Sequence, residues 1–467
     1  MKKAELKPTI DNLILTFEKD SVGRNKDLLY FIGLLDSIDE SFSIALDSYW
    51  GTGKTFFVKQ IKMILECLNE NTYEQLSKDQ KQKIKGQWDR LLSENKMELQ
   101  SGVHIPIYYD AWENDNDNDP ILSLVYQMLK TTNSFLPKET DTKRMAELAG
   151  EIIEKAIKLD PIKIINKLKS DNPFEEISKT KSLKESIDEF ISSLIPEHGE
   201  RLVIIIDELD RCNPKFAVNL LERIKHYFDN DKVTFVFSVN VVELHNTIRC
   251  FYGNEFNAGR YLDRFFDLPI ALPKPDMDKF YYSMDCFTSK FPHQRLLLEV
   301  INKNNMPLRE CSKFLSILKS IGKDYEKCFG NDNHPQIINS YRLIINFIVP
   351  VVIGEMIHNA YLYHTFLVDN DCSLFSYYLE DETIEKNMYT LNALFTENEL
   401  SNDLLHAIGD RKKAELINRL KEFCHELKHG SGTNKYKACM ITDAHRELFK
   451  QSITLMSKSL SDDSREQ

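Results

Sequence analysis

One short segment limits what this chain of 467 residues can fold into more than any other. Residues 48–55 read SYWGTGKT; the apolar run Phe42–Leu46 precedes them, and apolar residues at helical spacing follow from Phe57. Strand, glycine loop and helix in this order let backbone N–H groups converge on an anion at a helix N-terminus. Lys54 supplies a contact to the phosphates and Thr55 a hydroxyl for Mg²⁺. The segment therefore predicts a loop that binds nucleotide phosphates.

The loop departs from the general pattern at one position. Ser48 stands where such loops have glycine, and we expect serine to adopt the turn because its side chain is small. Glycine is scarce in this chain, with 16 residues in all, and Gly51 and Gly53 lie in the loop. The nucleotide-binding residues that we predict are Ser48, Tyr49, Trp50, Gly51, Thr52, Gly53, Lys54, Thr55 and Phe56.

A pair of acids closes an uninterrupted apolar run. Residues 202–206 (LVIII) are typical of a central parallel strand covered on both faces, and Asp207 and Glu208 follow directly. We predict that Asp207 binds Mg²⁺, directly or through water, and that Glu208 orients and deprotonates an attacking water. The next charged residues, Asp210 and Arg211, fit a local salt bridge as well as a role at the site.

Other apolar runs extend the α/β pattern. Val103–Tyr109, Val233–Val239 and Leu268–Leu272 have the length and composition of buried strands. Together with the strands already described, they predict an α/β core with a parallel sheet within residues 1–275. Between about residues 70 and 200 the periodicity is mostly helical, which indicates an insertion into this core.

The C-terminal part has a different pattern. Residues 276–467 read as helices, which predicts an all-helical C-terminal region. Its longest apolar stretch, Leu343–Ile357, has 15 residues, whereas a membrane-spanning helix needs about 20. We therefore expect a buried core helix there and no membrane span.

Charge and cysteine content exclude several classes of protein. Lys and Arg number 60 against 72 Asp and Glu, a net charge of −12, which argues against coating nucleic acid through bulk charge. A local basic groove stays possible. The nine cysteines form no CxxC pair, so neither a disulfide framework nor a zinc ribbon is indicated. Because Met1–Leu13 does not read as a signal peptide, we expect a cytoplasmic protein.

Four segments carry a resemblance to a known family. They are Ser48–Thr55 (SYWGTGKT), Tyr108–Trp112 (YYDAW), Ile206–Pro214 (IDELDRCNP) and Tyr261–Pro269 (YLDRFFDLP). They resemble the hallmark blocks of the KAP family of P-loop NTPases, over about residues 10–315. The resemblance implies a RecA/AAA+-like core with an additional strand, Walker A and Walker B motifs, and hydrolysis of ATP to ADP and phosphate with Mg²⁺. ATP is favoured over GTP because the chain has no NKxD motif that reads guanine.

The resemblance also implies roles for residues beyond the loop. It makes Glu208 the hydrolytic base, and a polar residue ending the next strand, Asn240 with Ser238 as its competitor, the sensor of the γ-phosphate. Arg264 lies where the family has a basic residue and is a candidate arginine finger, acting within its own chain or on a neighbouring subunit. Arg309 is a further candidate for a sensor arginine. The catalytic residues that we predict are Glu208, Lys54, Asn240 and Arg264.

These features lead to a functional hypothesis. The chain resembles soluble bacterial KAP proteins, some of which are linked to phage exclusion or defence. This implies an ATPase component of a multi-protein system, with antiviral defence as one context, in which hydrolysis drives a conformational or assembly switch. Protein partners or a homo-oligomer are expected. The alternative is a scaffold protein that binds nucleotide without significant turnover.

One motif suggests a different class of enzyme. His425, Glu426 and His429 form an HExxH sequence, the signature of zinc peptidases, and Glu447 follows at a plausible distance for a third ligand. Helical spacing places both histidines opposite the apolar face, and Gly430 ends the helix at once. A zinc-dependent hydrolase is therefore a third hypothesis, which the helical spacing disfavours.

Overall fold

The structure is a computed structural model. It describes residues 7–69, 76–99, 103–133, 152, 173–284, 294–329, 334–369, 373–376, 378, 410–430 and 439–454. The chain divides into two compact parts. Lys7–Asp276 forms the first, which we call the α/β unit, and the described residues from Met277 onwards form the second, the helical unit.

A five-stranded parallel sheet forms the centre of the α/β unit, in the order β2-β3-β4-β1-β5. The strands are β1 (Phe42–Asp47), β2 (His104–Asp110), β3 (Arg201–Asp207), β4 (Val233–Val239) and β5 (Leu268–Ala271). Strand β4 lies between β1 and β3, so one strand separates the strand before the glycine loop from the strand that ends in Asp207. This is the additional-strand arrangement that the resemblance implies. The predicted α/β fold is confirmed.

The register of the sheet brings distant parts of the chain together. Asp207 lies opposite Asp110 on one side and Ser238 on the other, and Asp47 lies opposite Val239. Because the strands are parallel, their carboxyl ends meet at one edge, which we call the carboxyl edge. Every residue of β3 is buried, as expected for a central strand covered on both faces.

Helices cover both faces of this sheet. The face that contains Val203 and Ile205 is covered by the four helices between residues 10 and 95, and the opposite face by the five helices between residues 120 and 262. The helices are α1 (Ile10–Glu18), α2 (Asn25–Asp36), α3 (Lys54–Leu68), α4 (Lys78–Asn95), α5 (Pro120–Asn133), α6 (Pro173–His198), α7 (Pro214–Tyr227), α8 (Val241–Tyr252) and α9 (Ala258–Leu262). A 3₁₀ turn, Leu209–Arg211, follows β3.

The predicted insertion at about residues 70–200 includes elements of the core. Strand β2 pairs with β3 along its whole length, and α4 packs through Ile84 and Trp88 against the core on one face of the sheet. Residues 134–172, apart from Ile152, lie outside the described residues. The segment was predicted to be a mostly helical insertion because the sequence on both sides of β2 is polar with helical periodicity. The strand itself was predicted.

The described part of the helical unit contains helices and no strand. They are α10 (Met277–Ser283), α11 (Gln294–Lys303), α12 (Leu308–Phe329), α13 (Pro335–Leu343), α14 (Val349–His358), α15 (Ala360–Asp369), α16 (Ser373–Ser376), α17 (Asp410–His429) and α18 (Asp443–Thr454). Their apolar sides form one core of their own, which includes Phe314, Phe347 and Phe423.

A π-helical turn, Ile344–Ile348, joins α13 to α14 just before Pro350. Such a turn accommodates a backbone that lacks the proline N–H. Within the described residues, Pro335–His358 is the one helical stretch long and apolar enough to cross a membrane, and 72% of its most apolar window is buried inside the protein. The predicted core helix at Leu343–Ile357 is thus part of a longer, 24-residue helical stretch.

Candidate nucleotide-binding site

The glycine loop connects β1 to α3 at the carboxyl edge. Gly51 and Gly53 have φ of 79° and 92°, in the left-handed region that glycine adopts without strain, and Gly53 caps the N-terminus of α3. The N–H of Ser48 donates to the carbonyl of Val239 at 3.2 Å, and its hydroxyl lies 2.8 Å from the hydroxyl of Thr52. Serine therefore fits the position where the general pattern has glycine.

Lys54 begins helix α3 and folds back across the loop. Its ammonium donates to the backbone carbonyls of Ser48 and, at 3.2 Å, of Tyr49. Burial lowers the pKa of Lys54, while the carboxylates of Asp210 and Asp207 raise it. The charge of the lysine is thus held by neutral carbonyl oxygens, which phosphate oxygens would replace as stronger, charged acceptors.

Asp207 ends β3 and is completely buried. The hydroxyl of Tyr108 donates to its carboxylate at 3.0 Å. Burial raises the pKa of Asp207, and the neighbouring hydroxyls of Ser238, Thr55 and Tyr108 oppose this. A buried carboxylate beside the Thr55 hydroxyl offers the hard oxygen donors that Mg²⁺ prefers. These residues therefore fit a magnesium ion.

Glu208 is the first residue beyond β3 and has φ 60° and ψ 25°, an unusual conformation for a residue with a side chain. Its N–H donates to the carbonyl of Ser238 at 3.3 Å and to Asp207 Oδ1 at 3.1 Å. Its carboxylate pairs with the guanidinium of Arg211 at 2.8 Å. Burial raises the pKa of Glu208, and Arg211 opposes this shift. Strained backbone of this kind is concentrated at functional sites.

Two tryptophans lie beside the ion pair of Glu208 and Arg211. Trp50 Nε1 donates to the carboxylate of Asp210 at 2.6 Å, which connects the glycine loop to the turn after β3. The guanidinium of Arg211 lies 6.0 Å from the ring centroid of Trp50 and 5.5 Å from that of Trp112. Arg211 therefore contacts Glu208 and both indoles, while Asp210 contacts the loop.

Arg24 is a supporting residue that sequence reasoning missed. Its buried guanidinium donates to the carbonyl of Thr52 in the loop at 2.9 Å and to the carbonyl of Pro273 beyond β5. Burial lowers its pKa to about 10. The contact joins residues 28 apart in sequence, and no motif marks it. Tyr108 and Trp112 were recognised only as part of a family block, without a chemical role.

Both candidates for the sensor lie at the carboxyl edge. Ser238 is buried opposite Asp207 in the sheet register. Asn240 caps α8, where its side chain accepts from the N–H of Glu243 at 3.5 Å. The structure brings both side chains to the site, and the choice between them stays a prediction.

The two candidate arginines belong to other elements of the chain. Arg264 is exposed in the turn after α9 and precedes β5, whose first residue, Leu268, pairs with Ile44 near the start of β1. Arg264 is therefore at the amino edge of the sheet, opposite the edge that carries the glycine loop. Arg309 is exposed in the first turn of α12, in the helical unit.

The HExxH sequence does not assemble a metal site. His425 and His429 are exposed on α17, with their ring centroids 5.2 Å apart, as the helical spacing predicts. Glu426 instead forms an ion pair with Arg446 at 3.1 Å, and Glu447 hydrogen bonds to a glutamine one turn further along. In the part of the chain that the structure describes, no group of three or more His, Cys, Asp or Glu could hold a metal ion.

Comparison with known proteins agrees with this geometry. The sequence profile of the KAP family P-loop domain matches residues 29–323, which is more than half of the chain. The chain belongs to the KAP family of P-loop NTPases. The KAP match includes the glycine loop and all five strands, and it ends within α12. Family membership thus supports nucleotide binding by this protein in general.

A shorter similarity adds little about function. An uncharacterized protein of Methanocaldococcus jannaschii is 39% identical to this KAP protein over 67 residues. The aligned part covers 14% of this chain and 34% of that protein, so the chain spans about a third of the length of the curated relative it matches.

Proposed function

We propose that this KAP protein binds Mg-ATP at the glycine loop and hydrolyses it, with Glu208 as the base. The main support is the carboxyl edge of the sheet. Lys54 and Thr55 meet Asp207 and Glu208 there, although about 150 residues separate the two pairs in sequence. This set of residues supplies a phosphate contact, two oxygen ligands for a divalent ion and a base.

Each residue has a distinct role in the proposed reaction. Lys54 exchanges its carbonyl partners for oxygens of the β- and γ-phosphates, while Thr55 and Asp207 hold Mg²⁺. When bound, Mg²⁺ neutralises charge on the phosphate oxygens. Glu208 accepts a proton from the attacking water, and burial, which raises the pKa of its carboxyl group, makes it a stronger base.

Arg264 fits an arginine finger that acts on a neighbouring subunit, because it is exposed and lies far from its own glycine loop. Such a residue accelerates phosphoryl transfer by about 10³- to 10⁵-fold. Phosphate release per chain should therefore rise with protein concentration. A constant rate per chain across a wide dilution series would contradict this role.

ATP hydrolysis in this proposal drives a conformational or assembly switch. The switch serves a multi-protein system in the cytoplasm, with antiviral defence as the favoured context. This rests on the resemblance to soluble bacterial KAP proteins. Plating phage on cells that carry either the wild-type gene or a Lys54→Ala variant tests the context. Equal plating on both would contradict a defence role that depends on nucleotide.

Binding and hydrolysis are tested separately. Lys54→Ala should weaken binding of Mg-ATP by about 100-fold, because it removes charged hydrogen bonds to phosphate worth about 2.7 kcal/mol. Glu208→Gln should leave affinity unchanged and reduce phosphate release by about 100-fold or more. Calorimetry measures the affinity and a phosphate assay measures the turnover.

Matched controls lie on the same elements. Lys62→Ala changes a lysine two turns further along α3, where it pairs with Glu66, and Glu200→Gln changes an exposed residue just before β3. Both controls should behave as wild type. Tight binding of Mg-ATP by the Lys54→Ala protein would overturn the proposed site.

One observation favours the alternative, a scaffold that holds nucleotide without turnover. The carboxylate of Glu208 is engaged by Arg211, and a base held in an ion pair is not free to activate water. Nucleotide binding by the wild-type protein, with no phosphate release at any protein concentration, would decide for the scaffold.

A further inference from the structure

The ion pair between Glu208 and Arg211 lies beside the glycine loop, in a partly buried place bordered by Trp50 and Trp112 that we call the corner. The two side chains are 17% and 23% exposed, and one 3₁₀ turn separates them along the chain. A carboxylate and a guanidinium attract each other more strongly in such a place than in open solvent. The pair therefore holds the proposed base in a defined position.

Two tryptophans hold the guanidinium from other parts of the chain. Trp50 belongs to the glycine loop and Trp112 follows β2, and both indoles lie within 6.0 Å of Arg211. A guanidinium near an indole ring gains cation–π attraction. These two side chains are about half exposed, so the corner is open to solvent on their side.

The same contacts connect the corner to the loop that would receive phosphate. Trp50 donates to Asp210, the residue before Arg211, and the hydroxyl of Thr247 on α8 donates to the carbonyl of Asp210 at 3.3 Å. The positive charge of Arg211 is also near enough to Lys54 to lower the pKa of the lysine. A phosphate bound by Lys54 would therefore lie within the field of Arg211.

From these contacts we infer that Arg211 is a positioning residue that restrains Glu208 until the γ-phosphate is bound. The inference rests on the proposed function of the same site. The γ-phosphate competes with the Glu208 carboxylate for the guanidinium, the ion pair opens, and Glu208 becomes free to accept a proton from water. Trp50 and Trp112 change their environment in the same step, because both contact Arg211.

The chain has three tryptophans, and the third, Trp88, is buried in the core, so a change in emission on nucleotide binding reports mainly on Trp50 and Trp112. Mg²⁺ with a non-hydrolysable ATP analogue should change the emission of the wild-type protein more than Mg²⁺ with ADP does. A Trp50→Phe/Trp112→Phe double variant, which retains only Trp88, should show no change with either nucleotide. Equal emission with analogue and ADP would overturn the inference.

Variants of Arg211 test the restraint itself. Arg211→Ala should bind the analogue with wild-type affinity and lose the emission change, because no guanidinium remains for the γ-phosphate to draw away from Glu208. Arg211→Lys keeps a positive charge and should retain the emission change. An emission change of wild-type size in Arg211→Ala, or its loss in Arg211→Lys, would overturn the restraint. Failure of the wild-type protein to bind the analogue would instead contradict the proposed function, so the two failures are distinguishable.

Discussion

Asp207 in the α/β unit and Glu355 in the helical unit are both buried carboxyl groups, with 0% and 3% of their surface exposed. Burial raises the pKa of each. Asp207 lies at the end of a strand, beside a lysine and a glycine loop. Glu355 lies within the apolar helix α14, where it accepts a hydrogen bond from Tyr378 at 3.0 Å.

The difference teaches how to interpret a buried acid. The hydroxyl of Tyr378 also accepts from Asn304 at 2.8 Å, so Glu355 hydrogen bonds to a network of neutral side chains inside one helical core. Asp207 has a cation, further carboxylates and a helix N-terminus near it, all at one edge of a sheet. Burial alone does not indicate a functional site, whereas burial together with these neighbours does.

The largest expected effect comes from neutralising Asp207. Asp207→Asn should reduce phosphate release by about 100-fold, since a lost ligand of the metal ion costs about 3 kcal/mol in the transition state. Its thermal unfolding, followed by tryptophan emission, should occur at the wild-type temperature or above, because burying a neutral amide is less costly than burying a charge.

Asp231→Asn is a matched control, since Asp231 is exposed just before β4, at the other edge of the sheet. It should leave both turnover and unfolding unchanged. If turnover persisted in Asp207→Asn, Asp207 would be a buried acid without a role in turnover, as we expect of Glu355, and the comparison would fail.

The two units also differ in how well sequence predicts them. Val233–Val239 was predicted with the bounds of β4, because a parallel strand covered on both faces is a continuous apolar run. Lys54, Asp207 and Glu208 could be proposed as site residues from sequence because a phosphate loop and a strand-end acid have local patterns. The contact of Trp50 with Asp210 joins residues 160 apart, and such pairs leave no periodic signal.

In the helical unit, sequence predicted helices but not their partners. The predicted apolar helix of 15 residues belongs to a stretch of 24, because the polar first turns of α13 hide its beginning. The network of Glu355, Tyr378 and Asn304 was also not predicted. It joins three separate segments through single hydrogen bonds, which depend on how the helices pack rather than on any motif.

A smaller effect is expected from adding a side chain at Gly354, where two helices of the helical unit pack closely. A Cβ added at Gly354 would lie 2.4 Å from Val300 Cγ1, a buried, stiff side chain of α11. Gly354→Ala should destabilise the helical unit by about 1–3 kcal/mol, as overpacking does. Nucleotide affinity should not change.

The control for this variant is a glycine with space around it. Gly86 lies on α4 with no atom within 4 Å of an added Cβ. Gly86→Ala should stabilise the α/β unit by about 0.5–1 kcal/mol through helix propensity. Denaturant unfolding is followed by circular dichroism for the whole chain and by tryptophan emission for the α/β unit. We expect Gly354→Ala to shift the unfolding seen by circular dichroism and not the unfolding seen by tryptophan emission. An equal shift in both signals would contradict the prediction that the substitution destabilises the helical unit alone.

The smallest predicted effect concerns the pH dependence that Glu355 confers. Burial raises its pKa above the ordinary value of 4.5, against the opposing influence of Tyr378, His358 and Asn304. The folded state therefore holds the proton more tightly than the unfolded state. Stability of the helical unit should fall as the pH rises from 4.5 through the raised pKa, and the loss should be complete above it.

Glu355→Gln removes this ionisation and keeps an oxygen that accepts from Tyr378. Its melting temperature by circular dichroism should exceed that of wild type by about 2–4 °C at neutral pH. The difference should shrink as the pH falls below 4.5, where the wild-type carboxyl is protonated in both states. Glu326→Gln, at an exposed position of α12, should follow wild type at every pH. A difference that stays constant with pH would mean that the pKa of Glu355 is the same in the folded and unfolded protein, and would contradict the predicted pH dependence.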